Sequence, residues 1–190
     1  MNIVQIGSND CFTCDDCFKF VKENHEQIDN IVCVDPNMDK LSNCLKVYEK
    51  FDIEVRIIAR AIITDPNQKT AKLYYSDVEK NGHHTSFDKG HLKKMRWEDF
   101  NIYHKEHPAC TANQLFGMTG FKTIDRLYVD AEGLDLLILD SINYLDYDIR
   151  WIRFETAHVK QGIQPYYKKM GQLGYRHKHG RYDAEVWKDE

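Results

Sequence analysis

Short apolar runs alternate with helical stripes of apolar residues along most of the chain. A strand that is buried on both faces reads as a continuous apolar segment, so these runs predict strands of an internal sheet. They occupy residues 2–6, 30–34, 54–64, 127–130 and 148–155. Strands that alternate with helices predict parallel pairing through right-handed crossovers.

The predicted helices follow from apolar residues spaced three or four positions apart. The first two carry the stripes Cys14, Cys17, Phe18, Val21 and Met38, Leu41, Leu45, Tyr48. A third stripe runs through Leu134, Leu137, Ile138, Ile142 and Leu145, and a last helix covers residues 164–171. Short strands near residues 174–175 and 185–187 predict an antiparallel hairpin at one edge of the sheet.

Two further segments complete the expected layout. Residues 70–75 predict a hairpin partner for the strand region 54–64, and the polar segment 76–112 predicts a loop with one or two short helices. We therefore expect one α/β domain over residues 1–190. Because the first predicted strand starts at Asn2, excision of this domain from a longer chain is an open alternative.

Composition narrows the functional classes. The net charge of -4 disfavours nucleic-acid binding, which draws most of its affinity from a basic excess. No apolar run approaches the roughly 20 residues of a membrane span, and no signal peptide is visible at the N-terminus. The six cysteines are therefore expected to be reduced thiols, and the expected location is the cytoplasm.

The candidate binding and catalytic residues lie at the ends of the predicted strands. Open parallel sheets bind ligands beyond the carboxyl ends of their strands. The residues found there are, in chain order, Gly7-Ser8-Asn9-Asp10, Asp35, Arg60-Ala61, Asp130 and Glu155. Three of these five strand ends begin with an acid, namely Asp35, Asp130 and Glu155, so we expect several carboxylates beside one ligand.

The first turn indicates a nucleoside ligand without a pyrophosphate. Gly7 permits close approach of the backbone to a ligand, and the following helix offers free N–H groups. The further glycines of the dinucleotide fingerprint are missing. Asp35 lies at the end of the second strand, where a carboxylate can accept hydrogen bonds from both ribose hydroxyls.

Together, these strand-end segments resemble the FkbM-family methyltransferases. The matching segments are Ile6-Gly7-Ser8-Asn9-Asp10, Val34-Asp35-Pro36-Asn37, Ala59-Arg60-Ala61-Ile62, the block from Tyr128 to Asp135, and Phe154-Glu155. The resemblance implies a class I methyltransferase fold, a Rossmann-like three-layer sandwich. It also implies S-adenosylmethionine as cofactor and a sugar, glycan or natural-product hydroxyl as acceptor, with a deoxyhexose such as rhamnose as one guess.

The same resemblance assigns the cofactor residues. Gly7, Ser8 and Asn9 would contact the methionine end, Asp35 the ribose, and Asn37 with Arg60-Ala61 the adenine. Asp130 would border the same cofactor. The chain departs from the family pattern at Cys11, which replaces the closing glycine of the turn, and at Asp35, which replaces a glutamate.

Methyl transfer to an alcohol requires a group that receives the hydroxyl proton. Asp130 is the first candidate base, followed by Glu155 and His158. Asp130 and Glu155 would alternatively bind a divalent ion such as Mg²⁺ that acidifies the hydroxyl. Glu132, His83 and His84 are candidate substrate-binding residues, the two histidines because the polar middle segment would fold over the site as a lid.

Two other functions compete with this interpretation. A cofactor-binding module without catalysis is supported by Cys11, since its side chain would crowd the cofactor. An NAD-dependent oxidoreductase is disfavoured by the missing glycines.

Overall fold

The computed structural model describes residues 1–12, 15–76, 86–90, 102–131, 133–157 and 162–189. Its strands are β1 (Asn2–Ile6), β2 (Asn30–Val34), β3 (Glu54–Ile58), β4 (Ala61–Ile63), β5 (Thr70–Ser76), β6 (Ile102–Thr111), β7 (Thr123–Ile124), β8 (Arg126–Val129), β9 (Asp148–Ile149), β10 (Trp151–Glu155), β11 (Tyr175–His179) and β12 (Asp183–Lys188). Its α-helices are α1 (Asp16–Asn24), α2 (Met38–Tyr48), α3 (Ala112–Thr119), α4 (Asp135–Asp140) and α5 (Gln164–Gln172), and a 3₁₀ turn spans His25–Gln27.

Seven strands form the main sheet, in the spatial order β11-β12-β10-β8-β1-β2-β3. Five adjacent strands of this sheet are parallel to one another, namely β10, β8, β1, β2 and β3. The strand β12 runs antiparallel to both of its neighbours, β10 and β11. The protein is therefore an α/β protein with a mostly parallel sheet, and the predicted terminal hairpin is confirmed. This architecture is compatible with a Rossmann-like fold.

Alternate residues of the central strands point to opposite faces of the sheet, and both faces are covered by helices. Ile3 and Ile31 belong to a cluster with residues of α1 and α2, whereas Val4 and Val32 belong to a cluster with residues of α3, α4 and α5. All four side chains are fully buried. Burial on both faces explains why these strands appear in the sequence as continuous apolar runs.

A second sheet holds the strands β4, β6 and β5, and it corrects two predictions. The hairpin partner of β5 is β6, which pairs antiparallel from Thr70 opposite Pro108 to Ser76 opposite Ile102. The predicted pairing of residues 70–75 with the region 54–64 is therefore wrong, and so is the predicted loop over residues 102–111. The polar, mostly exposed first part of β6 hides its strand character, because only its last three residues are buried.

Two helices also differ from the sequence prediction. α4 ends at Asp140, and Leu145 is 88% exposed rather than part of a helical face. α3 was missed, although its sequence carries a capping box between Thr111 and Gln114 and a left-handed Gly120 at its end. Among the helices of the described residues, none combines the length and the apolar character that crossing a membrane requires.

Cys11 and Cys44 form a disulfide that joins the segment after β1 to α2. The expectation of six reduced thiols is therefore wrong for these two residues, whereas Cys17, Cys33 and Cys110 are free and buried. The two bonded residues are far apart in the sequence, so spacing alone did not reveal the pair. Since disulfides persist mainly in oxidising compartments, this bond weighs against the expected cytoplasmic location.

We expect the Cys11→Ala/Cys44→Ala variant to unfold at a lower temperature than the natural protein. The bond closes a segment with a sequence separation of 33, for which the loss of chain entropy in the unfolded state is worth about 3–4 kcal/mol. That corresponds to a fall of about 10 °C in the midpoint of thermal unfolding. Thermal scans monitored by circular dichroism measure it.

A reductant provides the control for this prediction. It should lower the midpoint of the natural protein towards that of the variant and leave the variant itself unchanged. Equal midpoints for the natural protein and the variant without reductant would contradict a stabilising disulfide.

Candidate functional site

The carboxyl ends of β1, β2 and β8 are tied together by backbone hydrogen bonds. The N–H groups of Gly7 and Ser8 both donate to the carbonyl oxygen of Val34, at 2.8 and 3.1 Å, and Asp130 N–H donates to the carbonyl oxygen of Ile6 at 3.0 Å. These bonds extend the parallel pairing of the strands into the turns that follow them. The strand-end residues of the sequence prediction are thereby brought to one edge of the sheet.

Gly7 allows this close packing. Its φ of +75° lies in the left-handed region, and a Cβ at this position would lie 1.8 Å from the carbonyl oxygen of Asp130. A side chain would therefore require the backbone after β8 to shift. Asp135 supports the turn between β8 and α4. It is 1% exposed and accepts hydrogen bonds from the N–H groups of Ala131 and Gly133, each at 3.1 Å.

The carboxylate of Asp35 connects the first turn to the start of α2. One oxygen accepts the N–H of Asn9 at 3.2 Å and the other accepts the N–H of Asn37 at 2.8 Å. Asn37 in turn caps α2 by accepting the N–H of Asp39. A carboxylate offers about four acceptor positions, so Asp35 retains the capacity to accept hydroxyl donors from a ligand.

Burial raises the pKa of Asp35 to about 6, against the opposing effect of its two backbone hydrogen bonds. Lys40 also lowers this pKa, and the negative charge of Asp130 raises it slightly. The carboxylate therefore favours ligands that donate hydrogen bonds to it.

A cleft beside Asp35, which we name the Asp35 cleft, contains seven of the eight predicted cofactor residues. These are Gly7, Asn9, Asp35, Asn37, Arg60, Ala61 and Asp130. Its apolar lining includes Ile62 from β4, Leu73 from β5, and Phe87. The last two were missed by the sequence analysis because they come from the second sheet and its flanking segment, which carry no local signal of a site.

A second depression adjoins the Gly7 turn and shares lining residues with the Asp35 cleft, and we name it the acidic pocket. Its polar lining comprises Gln5, Ser8, Asn9, Asp15, Asp16, Asp130, Arg153, Glu155 and Asp183. Ser8, the eighth predicted cofactor residue, lines this pocket. Asp130 and Gly7 line both, so they form the boundary between the two spaces.

Glu155, at the end of β10, has a pKa raised from its ordinary value of 4.5 to about 7. Partial burial is the main cause, and the nearby negative charges of Asp130, Asp135 and Asp183 add to it. A carboxyl group that titrates near neutral pH is suited to receive a proton during catalysis. Asp130 and Glu155 line the same pocket, as expected for two groups at neighbouring strand ends.

The metal-assisted design remains a prediction. In the described part of the chain, the one group of three metal-ligating atoms within 4.8 Å of one another belongs to Cys11, Cys33 and Cys44. Two of these three sulfurs are joined in the disulfide. Four candidate residues, namely His83, His84, Glu132 and His158, lie outside the described residues.

The structure places Cys11 away from both spaces. Its side chain is fully buried against α2, where it is bonded to Cys44. Cys11 has a φ of 55°, so it adopts the left-handed conformation that a glycine would accept readily. Cys11 is not among the described residues that line either space, so the crowding of a cofactor by its side chain remains a prediction without support from this geometry.

Comparison of the sequence with protein-family models and with curated proteins found no match. The functional argument therefore depends on the geometry of the two spaces.

We expect Glu155→Gln to gain stability relative to the natural protein as the pH rises. The folded state raises the pKa of Glu155 from 4.5 to about 7, so the fold binds more protons than the unfolded chain within that window. Stability from this group is therefore present below about pH 4.5 and is lost as the pH rises through 7. Urea unfolding of both proteins at pH 5 and pH 8 measures the difference.

Glu23→Gln, at an exposed position of α1, is the matched control for loss of one carboxyl group. An advantage of Glu155→Gln that is equal at both pH values would contradict the raised pKa.

Proposed function

We propose that the protein is an S-adenosylmethionine-dependent O-methyltransferase that acts on a hydroxyl group of a sugar or glycan. The observation that carries this proposal is the convergence of Gly7, Asp35 and Asp130 at one sheet edge, with the Asp35 cleft on one side and the acidic pocket on the other. The Asp35 cleft would hold the adenosine, and the acidic pocket would receive the acceptor.

The sheet supports the class I methyltransferase fold that the FkbM resemblance implies. Its first five main strands have the order 3-2-1-4-5 of doubly wound sheets, with the switch point beside β1. The antiparallel terminal hairpin agrees with the same fold. Ligands of such sheets bind beyond the carboxyl ends of the strands, where both spaces lie.

The residues of the Asp35 cleft fit an adenosine. Ile62, Leu73 and Phe87 supply apolar surface for a planar base, and Asp35 supplies acceptors for the two ribose hydroxyls. The turn from Gly7 to Asn9 would run beneath the methionine end. Its Ser8 hydroxyl is buried without a hydrogen-bond partner among the described residues, which suits a polar group of a ligand.

When bound, S-adenosylmethionine would supply a methyl group on a positively charged sulfur, which would keep the electron pair of the carbon–sulfur bond when the methyl group passes to the acceptor oxygen. The protein must hold the acceptor oxygen in line and take up its proton. Asp130, at the boundary of the two spaces, is positioned to orient the hydroxyl. Glu155, with a pKa of about 7, is suited to receive the proton.

We expect S-adenosylhomocysteine, the demethylated product, to bind to the natural protein and to bind at least tenfold more weakly to Asp35→Asn. The substitution removes charge-assisted hydrogen bonds to the ribose, each worth about 1.5–3 kcal/mol. Titration calorimetry measures both affinities. Asp39→Asn, in the exposed first turn of α2, is the matched control and should bind normally.

Absence of any binding to the natural protein would refute the proposed cofactor. Preferential binding of NAD would instead favour an oxidoreductase.

We expect Asp130→Asn to bind S-adenosylhomocysteine and to lose most of its methyl transfer. The backbone groups of Asp130 that tie β8 to β1 and pack on Gly7 are kept, while the carboxylate beside the acceptor is lost. Transfer of a labelled methyl group to a panel of sugars and glycans measures turnover. A natural rate in this variant would remove Asp130 from the mechanism.

The same assay tests the role of a metal. Loss of activity on treatment with EDTA, restored by Mg²⁺, would support metal assistance through Asp130 and Glu155, whereas activity that survives chelation would favour a plain base.

A further inference from the structure

The acidic pocket has an unusual balance of charge for a site that would receive a neutral sugar. Among the described residues, its lining holds five carboxyl groups, those of Asp15, Asp16, Asp130, Glu155 and Asp183, against one guanidinium. That guanidinium belongs to Arg153 and is already paired with carboxylates of the protein. The pocket therefore offers a ligand mainly negative charge.

Arg153 is held by carboxylates on three sides. Its Nη2 lies 2.6 Å from Asp16 and 3.0 Å from Asp183, and its Nη1 lies 3.0 Å from Glu185. A guanidinium with three carboxylate partners has little capacity left to attract an anionic acceptor. Phosphate- or uronate-bearing acceptors are therefore disfavoured at this pocket.

Gln5 adds a buried hydrogen-bond acceptor to the lining of this pocket. Its side-chain nitrogen donates to Asp15 at 2.7 Å, and this contact fixes the orientation of the amide. The amide oxygen is buried, and no described residue donates a hydrogen bond to it. Gln5 is 6% exposed and lines the pocket, so this oxygen is a buried acceptor that requires a partner.

Asp15 is oriented as firmly as Gln5. It caps α1, since one of its oxygens accepts the N–H of Phe18 at 2.8 Å while the other accepts the Gln5 amide. Burial raises the pKa of Asp15, and it raises the pKa of Glu155 for the same reason. A cation in the pocket would relieve this accumulation of buried carboxyl groups.

We propose, as a refinement that rests on the function proposed above, that the acidic pocket binds a protonated amine of the acceptor. The acceptor is then an amino sugar or a related amino alcohol, methylated on a hydroxyl near its ammonium group. An ammonium carries three N–H donors and a positive charge, and it matches the Gln5 amide oxygen together with the surrounding carboxylates. A compact metal ion fits less well, because the described carboxylates do not bring three ligand atoms within 4.8 Å of one another.

The experiment compares amino sugars with their N-acetylated forms, which lack the charge. Glucosamine, galactosamine, mannosamine and an aminocyclitol are each paired with the N-acetyl form. Binding to the protein loaded with S-adenosylhomocysteine is measured by calorimetry, and labelled methyl transfer is measured in parallel. We expect at least one amine to bind tenfold or more tightly than its neutral partner, and its affinity to fall as salt is raised.

Asp183→Asn tests the pocket directly. Its carboxylate lines the pocket, and Arg153 keeps its contacts with Asp16 and Glu185 when it is replaced. We expect amine affinity to fall about two- to fivefold, the effect of one partly exposed charge. Asp140 lies at the end of α4, in an exposed ion pair with Lys169. The variant Asp140→Asn is the matched control and should bind the amine normally.

Two outcomes would overturn the proposal. In the first, no amine in the panel binds better than its N-acetylated partner. In the second, Asp183→Asn weakens the binding of S-adenosylhomocysteine but not that of 5′-methylthioadenosine, which lacks the amino-acid end. That result would mean that the pocket holds the ammonium group of the cofactor instead. Failure of the methyltransferase proposal is seen separately, as absent binding of S-adenosylhomocysteine, and the amine comparison is then made on the free protein.

Discussion

The contact between Gly7 and the backbone of Asp130 is the constraint on which the candidate site depends. A single Cβ at Gly7 would lie 1.8 Å from the Asp130 carbonyl oxygen, so β1 and β8 approach this closely only because residue 7 has no side chain. The approach places Asp130 at the boundary of two spaces rather than inside one. It also places the first turn beside Asp35, whose carboxylate then binds the N–H groups of both flanking loops.

Electrostatics gives the two sides of this boundary different characters. The Asp35 cleft combines the carboxylates of Asp35 and Asp130 with apolar side chains from both sheets, and the proposed nucleoside site rests on this combination. In the described part of the chain, the acidic pocket gathers five carboxyl groups around one arginine, and burial together with mutual repulsion raises the pKa of Glu155 to about 7. Carboxyl groups that are held in this state reduce stability at neutral pH, as is common at functional sites.

The disulfide fixes the end of the turn that follows β1. Cys11 occupies a left-handed conformation that disfavours most side chains, and the bond to Cys44 holds it there. Its side chain is fully buried in the core cluster that contains Leu41 and Cys44 of α2. Cys11 therefore acts as a structural anchor between the segment after β1 and α2.

The sequence by itself determined the positions of β1 and β2, the helix Met38–Tyr48, the terminal hairpin, and the acids at the strand ends. It joined β3 with β4, and β9 with β10, into single predicted strands, although each pair is divided between two sheets. These features are local: burial on both faces makes a strand continuously apolar, and the carboxyl ends of parallel strands meet at one edge. Only the tertiary structure decided the pairing of β5 with β6, the bond between Cys11 and Cys44, and the acidic pocket around Arg153. Each of these joins residues that are distant in the chain and carry no periodic signal. The pKa of Glu155 belongs with them, because it is set by burial and by carboxylates from three other segments of the chain.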